Sequence, residues 1–347
     1  MRESYFKRVA AWTPTRFWIN NPTWSEAKSA IEAGAINCTT NPAYISKLLV
    51  SEEAGPDVLV LIDEIVNTGE RDASKIAALV QRKITARLCE IFLPLYQKKP
   101  GLEGFVSLQL DPNREDDPEN FVNEALAGIS LMPNSLPKIP VTKVGLLAIG
   151  ELVERNIPLI ATEIMSISQM IAACEAYSRA SKKTGNHPAF FVTHITGIFD
   201  DYIKNYAAGK NVLIDSDLLY QAGTVAARKQ YKIMKERNYP GVILGGGARG
   251  LQHFTEFVGG DIHITINWKG TAQNLIETDP PVICRMDTAI PDYVVEALSD
   301  SLPDFHKAYY EGGLPVEDFS NFGPVELFRN QFLAGWKTLT DTINKRM

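Results

Sequence analysis

Apolar residues along this chain of 347 residues follow two rhythms. Short runs at 17–20, 35–39, 105–110, 137–142, 158–162, 190–195, 241–244 and 261–266 have the length and composition of buried strands. Between them, apolar groups recur every three to four residues and predict helices at 26–32, 121–131, 145–155, 168–180 and 216–237. The same spacing runs through 53–98, where Val58, Leu61, Ile62 and Ile65 share a face. Thr23 or Ser25 would cap the first helix, and Gly34 would end it. Eight strands alternating with helices predict an α/β protein, a single closed (β/α)8 TIM barrel over about 15–270. Residues 271–347 exceed what a barrel needs and predict extra C-terminal helices, ending in an amphipathic stretch at 326–343. No Gly/Ser linker, repeat or low-complexity tract divides the chain, so 1–347 reads as one domain.

A barrel carries its chemistry at the C-terminal ends of its strands. That rule nominates Asn20, Thr40, Asn41, Gln109, Lys138, Thr162, Thr193, His194, Arg249 and Asn267. Each is polar at the end of an apolar run, as a central pocket would require, although each would also serve as a structural hydrogen-bonder. Lys138 stands out, set between Pro137 and the Ile139-Pro140 pair. Burial disfavours an ammonium, so its pKa should fall and its free amine could attack a ketone to form a Schiff base. The plainer alternative is a strand-end lysine that reaches solvent along its own stem. His194 would titrate near neutrality and is a candidate base; the plainer reading is a histidine hydrogen-bonded in the barrel mouth. His263 receives no role, and the acidic stretch 111–117 reads as a solvated loop rather than a cation site.

Composition narrows the field of partners. Hydrophobic residues at 45% and charged residues at 22% suit a globular protein, and a net charge of -6 argues against nucleic acid or an anionic membrane surface. No apolar run reaches bilayer length, and the first eight residues lead into 10–14 without the apolar core of a signal peptide. Cys38, Cys89, Cys174 and Cys284 are scattered, which predicts reduced thiols, a cytoplasmic location and no metal site. Cys38 reads as a small core residue. The amphipathic outer helices allow a homo-oligomer without specifying an interface.

Several of these residues form motifs. Thr39-Thr40-Asn41-Pro42 after the second strand, Lys138-Ile139-Pro140-Val141-Thr142 on the fourth, Asn156-Ile157-Pro158 with the Thr162–Gln169 segment, and Gly245-Gly246-Gly247-Ala248-Arg249 after the seventh occur in order. Together they resemble the transaldolase and fructose-6-phosphate aldolase family over roughly 17–266. The resemblance implies that Lys138 forms the Schiff base. It also implies that Gln109 and Thr162 hold a catalytic water, and that Arg249 and Gly247 help bind a phosphate. Departures accompany it. The family's strand-one aspartate corresponds to Asn20, which exchanges no proton near neutral pH. The transaldolase glutamate of strand three corresponds to Gln109, as in the aldolase branch. That branch's strand-six tyrosine falls nearest Ile195, and the family's strand-six serine and second phosphate arginine fall near Thr193 and Ile198.

The reading that follows is a Schiff-base enzyme that cleaves a ketose and transfers or releases a dihydroxyacetone unit, with ketose and aldose substrates. Asn20, Asn41, Thr40 and Thr193 would bind substrate hydroxyls. No cofactor is expected, because the protonated imine is the electron sink. His194, Asp200, Asp201 and Tyr202 are the candidates to replace the missing acid/base group. Three rivals stand beside it: a class I aldolase on a non-phosphorylated or unusual ketose, a non-catalytic sugar-phosphate binder, and a barrel isomerase with no covalent step. The length of the helical tail looks more like a transaldolase, while Gln109 and Thr162 look more like an aldolase.

Overall fold

The computed structural model describes residues 3–109 and 111–347. Leu110, placed at the end of the expected third strand, lies outside the described residues. Eight parallel strands close on themselves in sequence order: β1 (Arg16–Asn20), β2 (Ala35–Thr39), β3 (Val106–Leu108), β4 (Ser135–Pro140), β5 (Leu159–Ile164), β6 (Phe190–Ile195), β7 (Val242–Gly246) and β8 (Ile262–Ile266). The seam is made by β1 on β8, with Phe17 opposite Ile264 and Ile19 opposite Ile266.

Side chains alternate in and out along each strand, which sorts the barrel interior into levels. The lower level is apolar: Trp18, Phe105, Leu136, Ile160, Phe191 and Leu244 pack as one buried cluster. Trp18 places its indole against Phe191 with ring centroids 4.8 Å apart and donates from Nε1 to Nδ1 of His263 at 3.0 Å. His263 therefore belongs to this plug, and burial holds its pKa near 4, so the ring is neutral. Two residues further along the strands come Asn20, Lys138, Thr162, Thr193, Gly246 and Thr265. A dry floor with a polar level above it is the frame of the site.

The helices are α1 (Tyr5–Trp12), α2 (Trp24–Ala33), α3 (Tyr44–Leu49), α4 (Gly55–Val66), α5 (Ala73–Lys98), α6 (Pro118–Leu131), α7 (Lys143–Glu154), α8 (Ile167–Thr184), α9 (Thr196–Lys210), α10 (Ser216–Glu236) and α11 (Gln252–Thr255). After the barrel come α12 (Gln273–Thr278), α13 (Asp292–Ser301), α14 (Pro303–Tyr309) and α15 (Gly323–Asn344). Thr23, not Ser25, caps α2: its hydroxyl accepts from Glu26 N while the Glu26 carboxylate accepts from Thr23 N. Ser25 instead binds Glu53.

Three expectations change. The helical stretch 53–98 is two helices, with Asp72 capping the second. Helix α9 begins at the residue after β6, where no helix was expected. β4 lies two residues upstream of 137–142, because Thr142 leaves the strand to cap α7 through Gly145 N. Lys138 is thus inside β4 rather than at its end.

The tail is part of the barrel's closure. Helix α15 packs across α3, α5 and α9 and reaches β5, burying Phe328, Phe332, Trp336 and Leu339. It lies over the end of the barrel where the strands finish.

Candidate active site

The polar level opens into a cavity of about 210 Å³ at the C-terminal ends of the strands. Strand residues Asn20, Thr39, Lys138, Thr193, Ile195, Gly246 and Thr265 line it, with Asn41, Gly247, Arg249 and Asn267 from the loops. Lys47 of α3 and Phe328 and Gln331 of α15 complete the wall.

Lys138 is 7% exposed. Burial in the barrel lowers its pKa to about 8, partly opposed by the carboxylate of Glu163, so the free amine is far more abundant near neutral pH than in an exposed lysine. The snorkelling alternative does not describe this side chain, which lies inside the barrel.

Glu163 is the site residue that the sequence reading missed. Strict alternation would send it outward after Thr162. The strand instead carries a bulge: Ala161 pairs with Val192 and Ile164 with His194, so three steps on β5 match two on β6. The extra residue takes φ of 61°, the left-handed region that costs a side-chain-bearing residue about 1 kcal/mol or more. Gln169 braces the turn, donating from Nε2 to the carbonyls of Glu163 at 3.1 Å and Val141 at 3.0 Å. The carboxyl is 1% exposed, and its Oε1 accepts from Gln109 Nε2 at 2.8 Å. Burial raises its pKa to about 7; the Gln109 hydrogen bond, then Lys138 and Arg329, oppose that rise. An acidic residue inside the apolar run 159–165 was the available signal.

Gln109 and Thr162 thus stand beside Glu163. Gln109 Oε1, Thr162 Oγ1 and Glu163 Oε2 are buried polar atoms with no protein partner among the described residues. Gln109 is hydrogen-bonded to Glu163 and Thr162 is its chain neighbour on β5, and unpartnered buried atoms on such a group suit a bound water. Further out, Glu115 follows the short 3-10 turn Pro112–Arg114. Burial and then the charge of Glu163 push its carboxyl well up, while Arg329 of α15 pulls it down.

Asn20 is held on both sides. Its Oδ1 accepts from Thr39 Oγ1 at 2.9 Å, and its Nδ2 donates to Asn267 Oδ1 at 3.0 Å. Thr39 in turn meets Thr265 Oγ1 at 2.6 Å. Asn41 turns its Oδ1 to Ala43 N at 3.1 Å, which leaves its amide N–H groups for the cavity. Thr193 presents a buried hydroxyl with no protein partner among the described residues.

Arg249 reaches the rim but is already engaged: its Nε donates to Asp201 Oδ2 at 2.7 Å. Its loop is tightly seated. A Cβ at Gly197 would lie 2.2 Å from the Gly247 carbonyl oxygen and 2.9 Å from Arg249 N, so the start of α9 has room only for glycine. Gly247 itself has φ of 65° and packs on Ile195 and Ile198. Asp200 accepts from Gly223 N and His253 Nε2 at 2.7 Å each, and His253 Nδ1 accepts from Arg249 N at 2.9 Å.

Four expected roles are therefore corrected. Thr40 faces away from the cavity, with its Oγ1 donating to Ser107 O at 2.6 Å, so it braces β2 on β3. His194, one residue past the inward-facing Thr193, points at α10 and meets Gln230 Nε2 at 2.9 Å. Burial lowers its pKa to about 3, which removes it as a base near neutral pH. Asp200 is consumed in the loop brace, and Tyr202 donates to Asp304 of α14. Among the described residues no group of three or more His, Cys, Asp or Glu side chains is arranged to hold a metal ion. Nor is any described helix long and apolar enough to cross a membrane.

Comparison with known proteins agrees with this geometry. The family model for Transaldolase/Fructose-6-phosphate aldolase matches residues 17–310. The chain is 25% identical over 314 residues to a transaldolase of Thiobacillus denitrificans, covering 86% of this chain and 84% of that one. It is 26% identical over 224 residues to a transaldolase of Neisseria meningitidis, covering 59% of this chain and 62% of that one. It is 25% identical over 199 residues to one of Trichodesmium erythraeum, covering 52% of this chain and spanning half (50%) of that relative's length. By the extent of the family match over its barrel, the chain belongs to the transaldolase/fructose-6-phosphate aldolase family.

Proposed function

We propose that the chain is a transaldolase-type Schiff-base enzyme that cleaves a ketose and transfers a dihydroxyacetone unit to an aldehyde. The observation that carries this reading is Lys138: a buried amine with a lowered pKa, opening into a cavity walled by Asn20, Asn41, Thr193 and Asn267. The free amine attacks the ketose carbonyl, and loss of water gives a protonated imine. The bond between the carbons α and β to the imine then breaks: the β-hydroxyl gives its proton to a base and becomes the carbonyl of the released aldehyde, while the bonding pair is drawn to the imine nitrogen and leaves a three-carbon enamine on Lys138. Asn41 and Thr193 offer hydrogen bonds to its hydroxyls. Capture of the enamine by a second aldehyde is transfer; protonation is aldolase action.

A second reading, a class I aldolase on a non-phosphorylated ketose, draws support from the anion end of the cavity. There Arg249 is paired with Asp201, and Ile195 and Ile198 stand beside the glycine loop. An isoleucine makes no hydrogen bond to phosphate.

Borohydride trapping with phosphorylated and neutral ketoses, followed by peptide mass spectrometry, tests both readings. The expected result is a reduced adduct on Lys138. Release of free three-carbon product without an acceptor aldehyde would favour the aldolase. Folded protein that binds ketose phosphate and yields no adduct would make it a binder, and turnover surviving Lys138→Ala would make it a non-covalent isomerase.

A further inference from the structure

We propose that Glu163 is the proton carrier for imine formation at Lys138, acting through a water held by its free carboxylate oxygen, Gln109 and Thr162. The proposal rests on the Schiff-base reading. Neither Asn20 nor Gln109 can exchange a proton near neutral pH, and His194 faces α10. Glu163 is the carboxylic acid that the bulge turns into the barrel beside Lys138, with its backbone in the left-handed region. Its Oε1 is fixed by Gln109, and its Oε2 has no protein partner among the described residues.

The proton balance closes with one carboxylic acid. When the Lys138 nitrogen lone pair forms the C–N bond, the proton lost from nitrogen passes through the water to the carbonyl oxygen. Protonated Glu163 then gives its proton, by the same water, to the carbinolamine hydroxyl. That group leaves as water with the C–O bonding pair, the nitrogen lone pair closes the C=N bond, and Glu163 is left as carboxylate beside the iminium cation. Hydrolysis of the last imine runs the sequence backwards. The charged groups facing Glu163 are Lys138 from β4, Glu115 from the β3–α6 loop and Arg329 from α15. Glu115 is placed to take up or return the proton while Arg329 limits the negative charge of the pair.

The test follows the rate of borohydride-trapped adduct on Lys138 from about pH 6 to 9 in wild type, Glu163→Gln and Glu163→Gly, with circular dichroism as a check of fold. Wild type should give a rate that rises as the amine frees its proton and falls as the acid is lost. Glu163→Gln should be about 100-fold slower and lose the falling limb. Its rising limb should move to lower pH, because the carboxylate that favours the ammonium is gone. Glu163→Gly suits the left-handed backbone, and added formate should restore its rate about tenfold or more. Trapping in Glu163→Gln within about threefold of wild type, or a slow Glu163→Gly that formate does not help, overturns the proposal and leaves the Schiff-base reading intact. Absence of any adduct in wild type overturns both.

Discussion

Arg249 donates from Nε to Oδ2 of Asp201 at 2.7 Å, so the rim arginine of the glycine loop is already paired with a carboxylate of α9. Both side chains are more than a third exposed, at 38% and 36%, and such a pair contributes at most about 1 kcal/mol. That is small enough for a ligand to displace, but it sets a handicap against phosphate. Asp201→Asn should therefore strengthen inhibition by inorganic phosphate of neutral-ketose trapping by about threefold to fivefold. An unchanged inhibition constant would mean that Arg249 meets no anion of the substrate.

The family resemblance sets Asn20 against an aspartate at the end of strand one, and its hydrogen bonds to Thr39 and Asn267 already suit a carboxylate at the same place. Thr39 would still donate, and the Asn267 amide can turn to offer its N–H. Asn20→Asp should cost less than about 1 kcal/mol of stability and raise the rate of carbon–carbon cleavage by about tenfold or more, because a base then faces the substrate hydroxyl. Denaturant unfolding and release of aldehyde from the trapped-competent ketose measure the two. A cleavage rate equal to wild type would show that another group already removes that proton.

Lys138 makes stability depend on pH in a definite direction. Its folded-state pKa, about 8, lies below the unfolded value, so between these pH values the unfolded chain holds the extra proton. Stability contributed by this group therefore rises with pH from about 8 towards the unfolded lysine value, and below that window burial of the ammonium is a cost of up to about 3 kcal/mol. Lys138→Met should remove the cost: the variant gains about 1–3 kcal/mol at pH 7 in urea, with the gain shrinking by pH 10, while adduct formation is lost. A variant no more stable than wild type at pH 7 would contradict a desolvated amine.

His194 tests the opposite expectation. Its ring is buried against Gln230 outside the cavity, so His194→Gln should leave trapping within about twofold of wild type. It should cost about 1–3 kcal/mol through the disturbed buried pair. A hundredfold loss of rate with an unchanged unfolding midpoint would put the histidine back in the chemistry.

The barrel was legible in the sequence because the closed parallel sheet buries both faces of every strand and writes itself as short apolar runs at regular spacing. β6 at 190–195 was read to the residue. Boundaries failed for two reasons: at β4 a side chain ended the strand, as Thr142 leaves it to cap α7, and α9 starts at Thr196 directly after β6 with no side-chain cap to announce it. The rule that barrel chemistry sits at strand ends nominated Lys138, Thr193 and Asn20, which line the cavity, but it does not say which way a side chain points. The same rule misled at adjacent positions. Thr40 and His194 sit one residue from inward-facing partners and point elsewhere.

The sequence by itself determined the barrel, the helical extension and the lysine within its motif, because these depend on local periodicity and on residue types in order. Tertiary structure alone decided the electrostatics of the site. A bulge of one residue turned Glu163 from the helix side to the Lys138 side, a fold-level contact spent Arg249 on Asp201, and α15 returned from the far end of the chain to bring Phe328, Arg329 and Gln331 over the mouth. The physical reason is range: strand and helix patterns are written in neighbours three or four residues apart. Burial and charge act through space between residues tens to more than a hundred positions apart, and one extra residue in a strand reverses the face on which a charge is buried.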